Sequence, residues 1–429
     1  MRVQRISWDG ADAAAQAATL RGSQAGAQDV LADTARIVAD VRACGDAALR
    51  ELTARLDAVE VGPEQLELRV DPAAIAAARE TAEPDVLGAL EVAARNVHNV
   101  ARAELEAHAD TRARLPQGQT VTIVGAPVAA AGIYAPGGLA AYPSSVLMCC
   151  IPARVAGVDR IAVASPPGPD GRVNPAVLTA CSVAGVDEVY ALGGAQAVAA
   201  LAYGTESVAP VDAIAGPGNR YVNEAKRAVF GEVGIDGIAG PSELLAVLDT
   251  GVVPRLVALD LLAQAEHGAG GLLVAISPDG DALAALTTEI EALAFGRPSV
   301  RADVITVVEA PDLGAAVDLA DAIAPEHLEL AFETADERLA ADRVAGCVFW
   351  RSAGAAAFGD YAAGSNHVLP TGGAARFGGP LGVGAFRRTT SLVELPPAAA
   401  AGLAPRVEAL ARAEGFPVHG ESATARGGD

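Results

Sequence analysis

At 429 residues the chain exceeds what one hydrophobic core usually supports, so two or more packed units with smaller appendages are expected. With 51% hydrophobic, 20% charged and 4% aromatic residues, the composition is Ala-rich and globular, which excludes disorder. A formal net charge of -22 repels a phosphate backbone, and no basic stripe with interleaved aromatics offsets it, which excludes nucleic acid as a partner.

The opening "MRVQRISWDG" lacks a basic region followed by an apolar run, and no later stretch holds about 18 apolar residues without a charge or a break; a cytoplasmic protein with no membrane partner is expected. Residues 24–120 read as helix after helix, expected to pack on a sheet formed later in the chain. From about 127 to 350, short β-rich runs alternate with Ala/Leu-rich helical runs. Strands are predicted at 160–166, 187–192, 244–249, 271–277, 302–309 and 346–350. This alternation implies an α/β fold of mostly parallel sheets with helices on both faces and ligands beyond the carboxyl ends of the strands. After "RRTTSLVEL" a last helix, "PAAAAGLAPRVEALARAEG", precedes a polar end, "ESATARGGD". Such a tail cannot bury a core alone and must dock on the main body or on another subunit.

The cysteines, Cys44, Cys149, Cys150, Cys181 and Cys347, are odd in number and form no CxxC, which argues against a disulfide scaffold and a thiolate zinc cluster. Cys149 and Cys150 lie in a continuous apolar segment, where packing is expected rather than redox pairing.

His98 and His108 lie in a charged helical stretch and read as surface residues, whereas His267, His327, His367 and His419 stand beside polar residues in small or apolar surroundings. If "LDLLAQAEHG" is a helix ending at Gly268, Gln264 and His267 share one face and can converge on a point. Two readings stay open. Either His267 meets the negative end of the helix dipole, or an amide oxygen and an imidazole serve a borderline cation such as zinc, with Asp360 and His419 available to complete its ligands. In "DAIAPEHLELAF", Glu326 and His327 follow Pro325, where a helix must stop and a strand begin; the pair suits proton transfer, or is a solvated pair at a turn. His367 follows Gly364-Ser365-Asn366, which is also ordinary turn chemistry. Three loops place Gly before helical runs, as nucleotide phosphates require, yet none is GxGxxG and plain βα turns explain them too. Gln196 and Asn219 are amides at helix starts that could donate to a ligand; capping by Asn219 is the competing account.

Taken in order, "GIYAPGG", "YALGGAQAVAALAYGT", "AGPGNRYVNEAKR", "GPSE", "DLLAQAEH", "APEHLEL", "GDYAAGSNHVLPTGGAARF" and "AEGFPVH" resemble the histidinol dehydrogenase family over nearly the whole chain. The resemblance implies four-electron oxidation of L-histidinol through L-histidinal to L-histidine with two NAD+ and one bound zinc, the last step of histidine biosynthesis. It implies Gln264, His267, Asp360 and His419 as zinc ligands that also meet substrate, the last coming from the neighbouring subunit. Glu326 and His327 resemble the acid–base pair, with His327 removing the hydroxyl proton and Glu326 activating the water that hydrates the aldehyde. Ser242, His327, His367 and Glu414 resemble substrate contacts, Glu414 crossing from the partner, and Tyr134, Gln196 and Asn219 match positions that contact NAD+.

For the fold, the resemblance implies two incomplete Rossmann-like units in a domain-swapped homodimer. Residues 24–133 with 242–386 would carry the metal and catalytic residues, 134–241 would contact NAD, 1–23 would form an N-terminal segment, and 387–429 would dock on the partner. Sequence neighbours on a strand face opposite ways, so joint action by Glu326 and His327 requires a turn before regular strand geometry. "GESATARGGD" and the glycine-rich "FGGPLGVGAFRRTTS" depart from the family's usual pattern. Three rivals are an NAD-dependent dehydrogenase of a related amino alcohol or aldehyde, an aldehyde dehydrogenase with nucleophilic Cys149 or Cys150, and a zinc-binding or redox-sensing interaction protein.

Overall fold

The computed structural model describes every residue except 23–29, 58, 138–140, 303, 333–336, 352–353 and 428–429. Strand β1 (Arg2–Ser7) and helix α1 (Ala13–Gly22) come first, followed by α2 (Leu31–Leu56), α3 (Pro72–Glu80) and α4 (Pro84–Ala107). Proline in the first turn starts α3 and α4, and the Asp71 side chain accepts from the Ala73 amide to cap α3. Strands β2 (Thr111–Arg114) and β3 (Thr120–Pro127) then pair antiparallel. The all-helical expectation for 24–120 therefore needs correction: β2 is solvent-exposed and exists because β3 pairs with it, a long-range cause that local periodicity does not carry.

The first α/β unit runs β4 (Ala130–Tyr134), α5 (Pro143–Ala156), β5 (Arg160–Ser165), α6 (Pro175–Ala184), β6 (Glu188–Ala191), α7 (Gly194–Tyr203), β7 (Ala213–Ala215), α8 (Arg220–Val229) and β8 (Gly234–Ile235). Its five strands are all parallel in the order β6-β5-β4-β7-β8. The second runs β9 (Glu243–Leu248), α9 (Pro254–Ala265), β10 (Leu272–Ser277), α10 (Gly280–Ala294), β11 (Val304–Glu309), α11 (Leu313–Ile323), β12 (His327–Ala331), α12 (Glu337–Ala341), β13 (Cys347–Trp350) and α13 (Ala356–Tyr361). Its sheet repeats the same order and recruits β1 at one edge: β1-β11-β10-β9-β12-β13, all parallel. Both sheets thus reverse direction beside their first strand, the arrangement of Rossmann-like folds.

Both faces of each sheet are covered, which is why β9 and β10 are buried along their whole length and read as unbroken apolar runs. Helices α3 to α6 pack on one face of the five-stranded sheet and α2, α7 and α8 on the other. On the six-stranded sheet, α1 and α11 face α9 and α10 across the strands. The chain ends with β14 (Arg387–Glu394), which pairs antiparallel with β3, then α14 (Pro397–Ala413) and α15 (Pro417–Gly427). The polar end expected to follow one last helix is itself helical. It lacks an apolar stripe but packs closely against α14, with Gly420 against Glu408. Among the described residues no helix is long and apolar enough to cross a membrane.

One packed contact carries a titration signature. Asp260 of α9 and Glu329 of β12 hydrogen-bond carboxyl to carboxyl, and Glu329 is buried with its Oε2 unpartnered. Burial pushes Asp260 up to about 6, while burial and the facing Asp260 charge push Glu329 up to about 9. The folded chain therefore holds protons that the unfolded chain releases. That stability is fully present below the ordinary carboxylate range and is lost as pH rises towards about 9. Glu329→Gln should flatten this loss, so that between pH 6 and 9.5 its Tm falls less than the parent's by roughly 2 °C or more. Thermal melts across that range check it, and parallel curves for the two proteins would count against a shared proton.

Candidate active site

A pocket of about 350 Å³ lies where the two sheets meet. Loops after β4 and β7 contribute Pro136 and Asn219, which stand at the carboxyl ends of the smaller sheet. From the larger sheet come Ser242, Glu326 and His327, at the amino ends of β9 and β12. The pocket thus lies at the strand carboxyl ends of one sheet, where the sequence reading expected ligands, and at the amino ends of the other. The reason is geometric: α9 and α11 run back antiparallel to the strands, so the end of α9 returns Gln264, and the turn after α11 returns Glu326, to the amino edge.

Helix α9 ends at Ala265, earlier than the expected Gly268, with the His267 amide donating to the Gln264 carbonyl at 3.2 Å. Both side chains still line the pocket, Gln264 buried and His267 exposed. Gln264 donates through Nε2 to Asp360 Oδ2 at 3.1 Å, while its Oε1 is buried without a partner. Asp360, near the end of α13, presents Oδ1 to His327 Nε2 at 3.2 Å. The other ring nitrogen, Nδ1, meets the Glu243 carbonyl at 3.0 Å and lies 3.5 Å from Glu326 Oε2. Glu326 precedes β12 and His327 opens it, so these sequence neighbours line the same pocket. His367 lies alongside, its Nδ1 against the Asp360 carbonyl at 2.8 Å and its Nε2 against Ser145 Oγ at 3.0 Å.

Burial by itself lowers the His327 imidazole, but the hydrogen bonds and charges of Asp360 and Glu326 outweigh it and raise its pKa well above the usual range. For Asp360, burial works upward, and His327 together with the His367 and His267 charges prevails to hold the carboxyl below its ordinary value. Burial dominates at His367 and lowers it.

A second cleft, of about 910 Å³, opens at the carboxyl ends of the smaller sheet and is lined by Tyr134, Gln196, Asn219 and Asp57. Pro136, Tyr142 and Asn219 line both cavities, so the two adjoin. The Tyr134 hydroxyl accepts from the Gly194 amide at 3.1 Å, and burial pushes it up to about 12. Gln196 is buried, donates to Asp57 Oδ2 at 3.2 Å and leaves Oε1 without a partner. Burial lifts the Asp57 carboxyl to about 6 against that hydrogen bond. Asn219 does cap a helix, accepting from the Tyr221 and Val222 amides at the start of α8.

Glu414 and His419 are not brought to the pocket within one chain: both are exposed, at the end of α14 and in α15. Leu410, Phe416 and Val418 are exposed around them. Among the described residues no group of three or more His, Cys, Asp or Glu is placed to hold a metal ion. The donors that do converge, a buried orphan amide oxygen, a carboxylate and an adjacent imidazole, suit a borderline divalent cation once a further ligand is supplied. Cys149 and Cys150 are fully buried in α5 and their thiols are pushed up by burial, so neither is a nucleophile poised for an aldehyde.

Arg21, Asp57, Ser145 and Glu243 escaped the sequence reading. Glu243 had a signal: a carboxylate heading the apolar run "LLAVLD" must find a partner when buried. That partner, Arg21, lies 222 positions away and had none.

Comparison with known proteins bears on the whole chain. A family model described as histidinol dehydrogenase matches residues 20–427. The chain is 47% identical over 405 residues to a histidinol dehydrogenase of Cereibacter sphaeroides, covering 93% of this chain and 92% of that one. It is 45% identical over 434 residues to one of Rhodospirillum rubrum, covering 98% of each. The crystal structure of a histidinol dehydrogenase from Elizabethkingia anophelis superposes with a TM-score of 0.90 at 29% identity, over 99% of this chain and 98% of that one.

Proposed function

The chain belongs to the histidinol dehydrogenase family, an oxidoreductase family of histidine biosynthesis, and we propose that it oxidises L-histidinol through L-histidinal to L-histidine with zinc and two NAD+. The observation that carries this reading is the buried, unpartnered Gln264 Oε1 in a pocket shared with His267, Asp360 and the Glu326–His327 pair. Gln264, His267 and Asp360 of one chain would hold the cation, with His419 supplied by the partner of a homodimer onto which the C-terminal tail docks. The exposure of His419 and of the apolar residues beside it supports this arrangement. The adjoining cleft with Tyr134, Gln196 and Asn219 would take NAD+; the orphan Gln196 oxygen offers an acceptor there. When bound, the cation would supply a positive template for the substrate's amine and imidazole and draw Asp360's charge away from His327, and NAD+ would accept each hydride.

His327 removes the hydroxyl proton as the alcohol is oxidised, its Nδ1 directed at the Glu243 carbonyl so that Nε2 faces the pocket. Glu326 activates the water that hydrates the aldehyde, and the second oxidation of that hydrate gives the carboxylate. Ser242, His367 and the partner's Glu414 orient the substrate, the last offsetting its ammonium charge.

The test is NADH formation from L-histidinol alongside other amino alcohols. Two NADH per histidinol, lost on chelation and regained with Zn2+, are expected. Turnover indifferent to chelation would overturn the zinc-dependent reading, and no turnover would favour metal sequestration.

A further inference from the structure

The corner that presents Glu326 and His327 is tied to a residue far away in the chain. Helix α11 ends at Ile323, and the capping residue Ala324 takes a left-handed conformation (φ 50°) without being glycine, which leaves carbonyls with no helical partner. Arg21, at the end of α1, donates to them: Nε to Ile323 O at 3.1 Å, Nη2 to Ile323 O at 2.5 Å and to Ala324 O at 3.3 Å. The same guanidinium grips Glu243 with both ends, Nη1 to Oε1 at 2.6 Å and Nη2 to Oε2 at 3.2 Å. A cation at a helix carboxyl terminus is favourable to the dipole as well as to the orphan carbonyls.

Glu243 is 1% exposed and absent from the pocket lining, yet its amide, its carbonyl and one carboxylate oxygen each bond to Glu326 or His327, which do line it. Its amide donates to Glu326 Oε2 at 2.8 Å, its Oε2 accepts from the Glu326 amide at 3.2 Å, and its carbonyl holds His327 Nδ1 at 3.0 Å. Its Oε1 also accepts from the Gly372 amide at 3.0 Å. Remove the carboxylate, and the Glu326 and Gly372 amides lose their acceptor while Arg21 loses its counter-charge inside the fold.

We propose that Glu243, braced by Arg21, is a positioning residue that sets the carboxylate of Glu326 and the ring of His327 for proton transfer. This rests on the reading of those two residues as the acid–base pair. The effect acts on orientation, because neither Glu243 nor Arg21 reaches the substrate pocket.

The experiment compares Glu243→Gln, Arg21→Met, their double variant and Arg21→Lys, each purified as the full chain with its zinc content and Tm measured. The expected result is a kcat lower by about 10 to 100-fold for either single change, with KM for L-histidinol within about twofold. The double variant should lose no more than the worse single one, since the two act as a unit. Arg21→Lys should recover part of what Arg21→Met loses, because it restores the charge without the two-pronged grip. A kcat within twofold of the parent in folded variants overturns the proposal, as does a loss confined to KM or one that follows Tm across the set. Should Glu243→Gln not fold, Arg21→Met against Arg21→Lys decides by the same criteria. His327→Asn, run in parallel, separates the two claims. If it leaves the first oxidation intact, the acid–base reading falls; if it abolishes that step while Glu243→Gln does not, only the positioning inference falls.

Discussion

His327→Asn should slow the first oxidation step at least about 100-fold while leaving metal content unchanged. The substituted side chain can still meet the Glu243 carbonyl through its amide, but it has no nitrogen able to take a proton near neutral pH. It also removes a ring that stacks on Phe349 at 6.1 Å, a packing loss that acts on stability more than on the chemistry. Single-turnover NADH formation read beside elemental analysis separates these effects. Normal single-turnover rates would show that the hydroxyl proton leaves by another route, with Glu326 the next group to consider.

His267→Ala and His419→Ala should each abolish turnover, and mixing the two inactive chains should restore it in part. In one chain His267 lines the pocket while His419 stands exposed on α15, beside Phe416 at 5.5 Å between ring centroids. If the partner supplies His419, a mixed dimer contains one doubly damaged site and one intact site. Free exchange makes half the dimers mixed, so about a quarter of the parent activity is expected. Exchange demonstrated by differently tagged chains without any recovery would place all the ligands in one chain.

Much of this architecture could be read beforehand, and the gaps have a common cause. Parallel strands such as β9 and β10, buried on both faces, announce themselves as apolar runs bounded by Gly, Pro and Asp. Glu326 and His327 were legible because Pro325 stops a helix, which fixes a corner from local chemistry alone. By contrast β2 is created by β3, α15 by α14, and the tie between Arg21 and Glu243 by the closure of the sheet. None of these leaves a periodic trace in its own residues. On the larger sheet the pocket lies on the other side from the one expected, because the general rule concerns loops following strands whereas here loops following helices line the pocket.

The edge position of β1 has a consequence during synthesis. Its partner is β11, with Ser7 opposite Glu309, so the first strand made must wait for almost three quarters of the polypeptide to emerge. At ribosomal speeds of about 5–20 residues per second this is roughly 15–60 s. The smaller sheet, whose strands all fall between Ala130 and Ile235, is complete well before then. Nascent chains can therefore complete the smaller sheet early, while the amino-terminal strand waits unpaired for β11, a delay that leaves a strand edge in need of protection from other nascent chains.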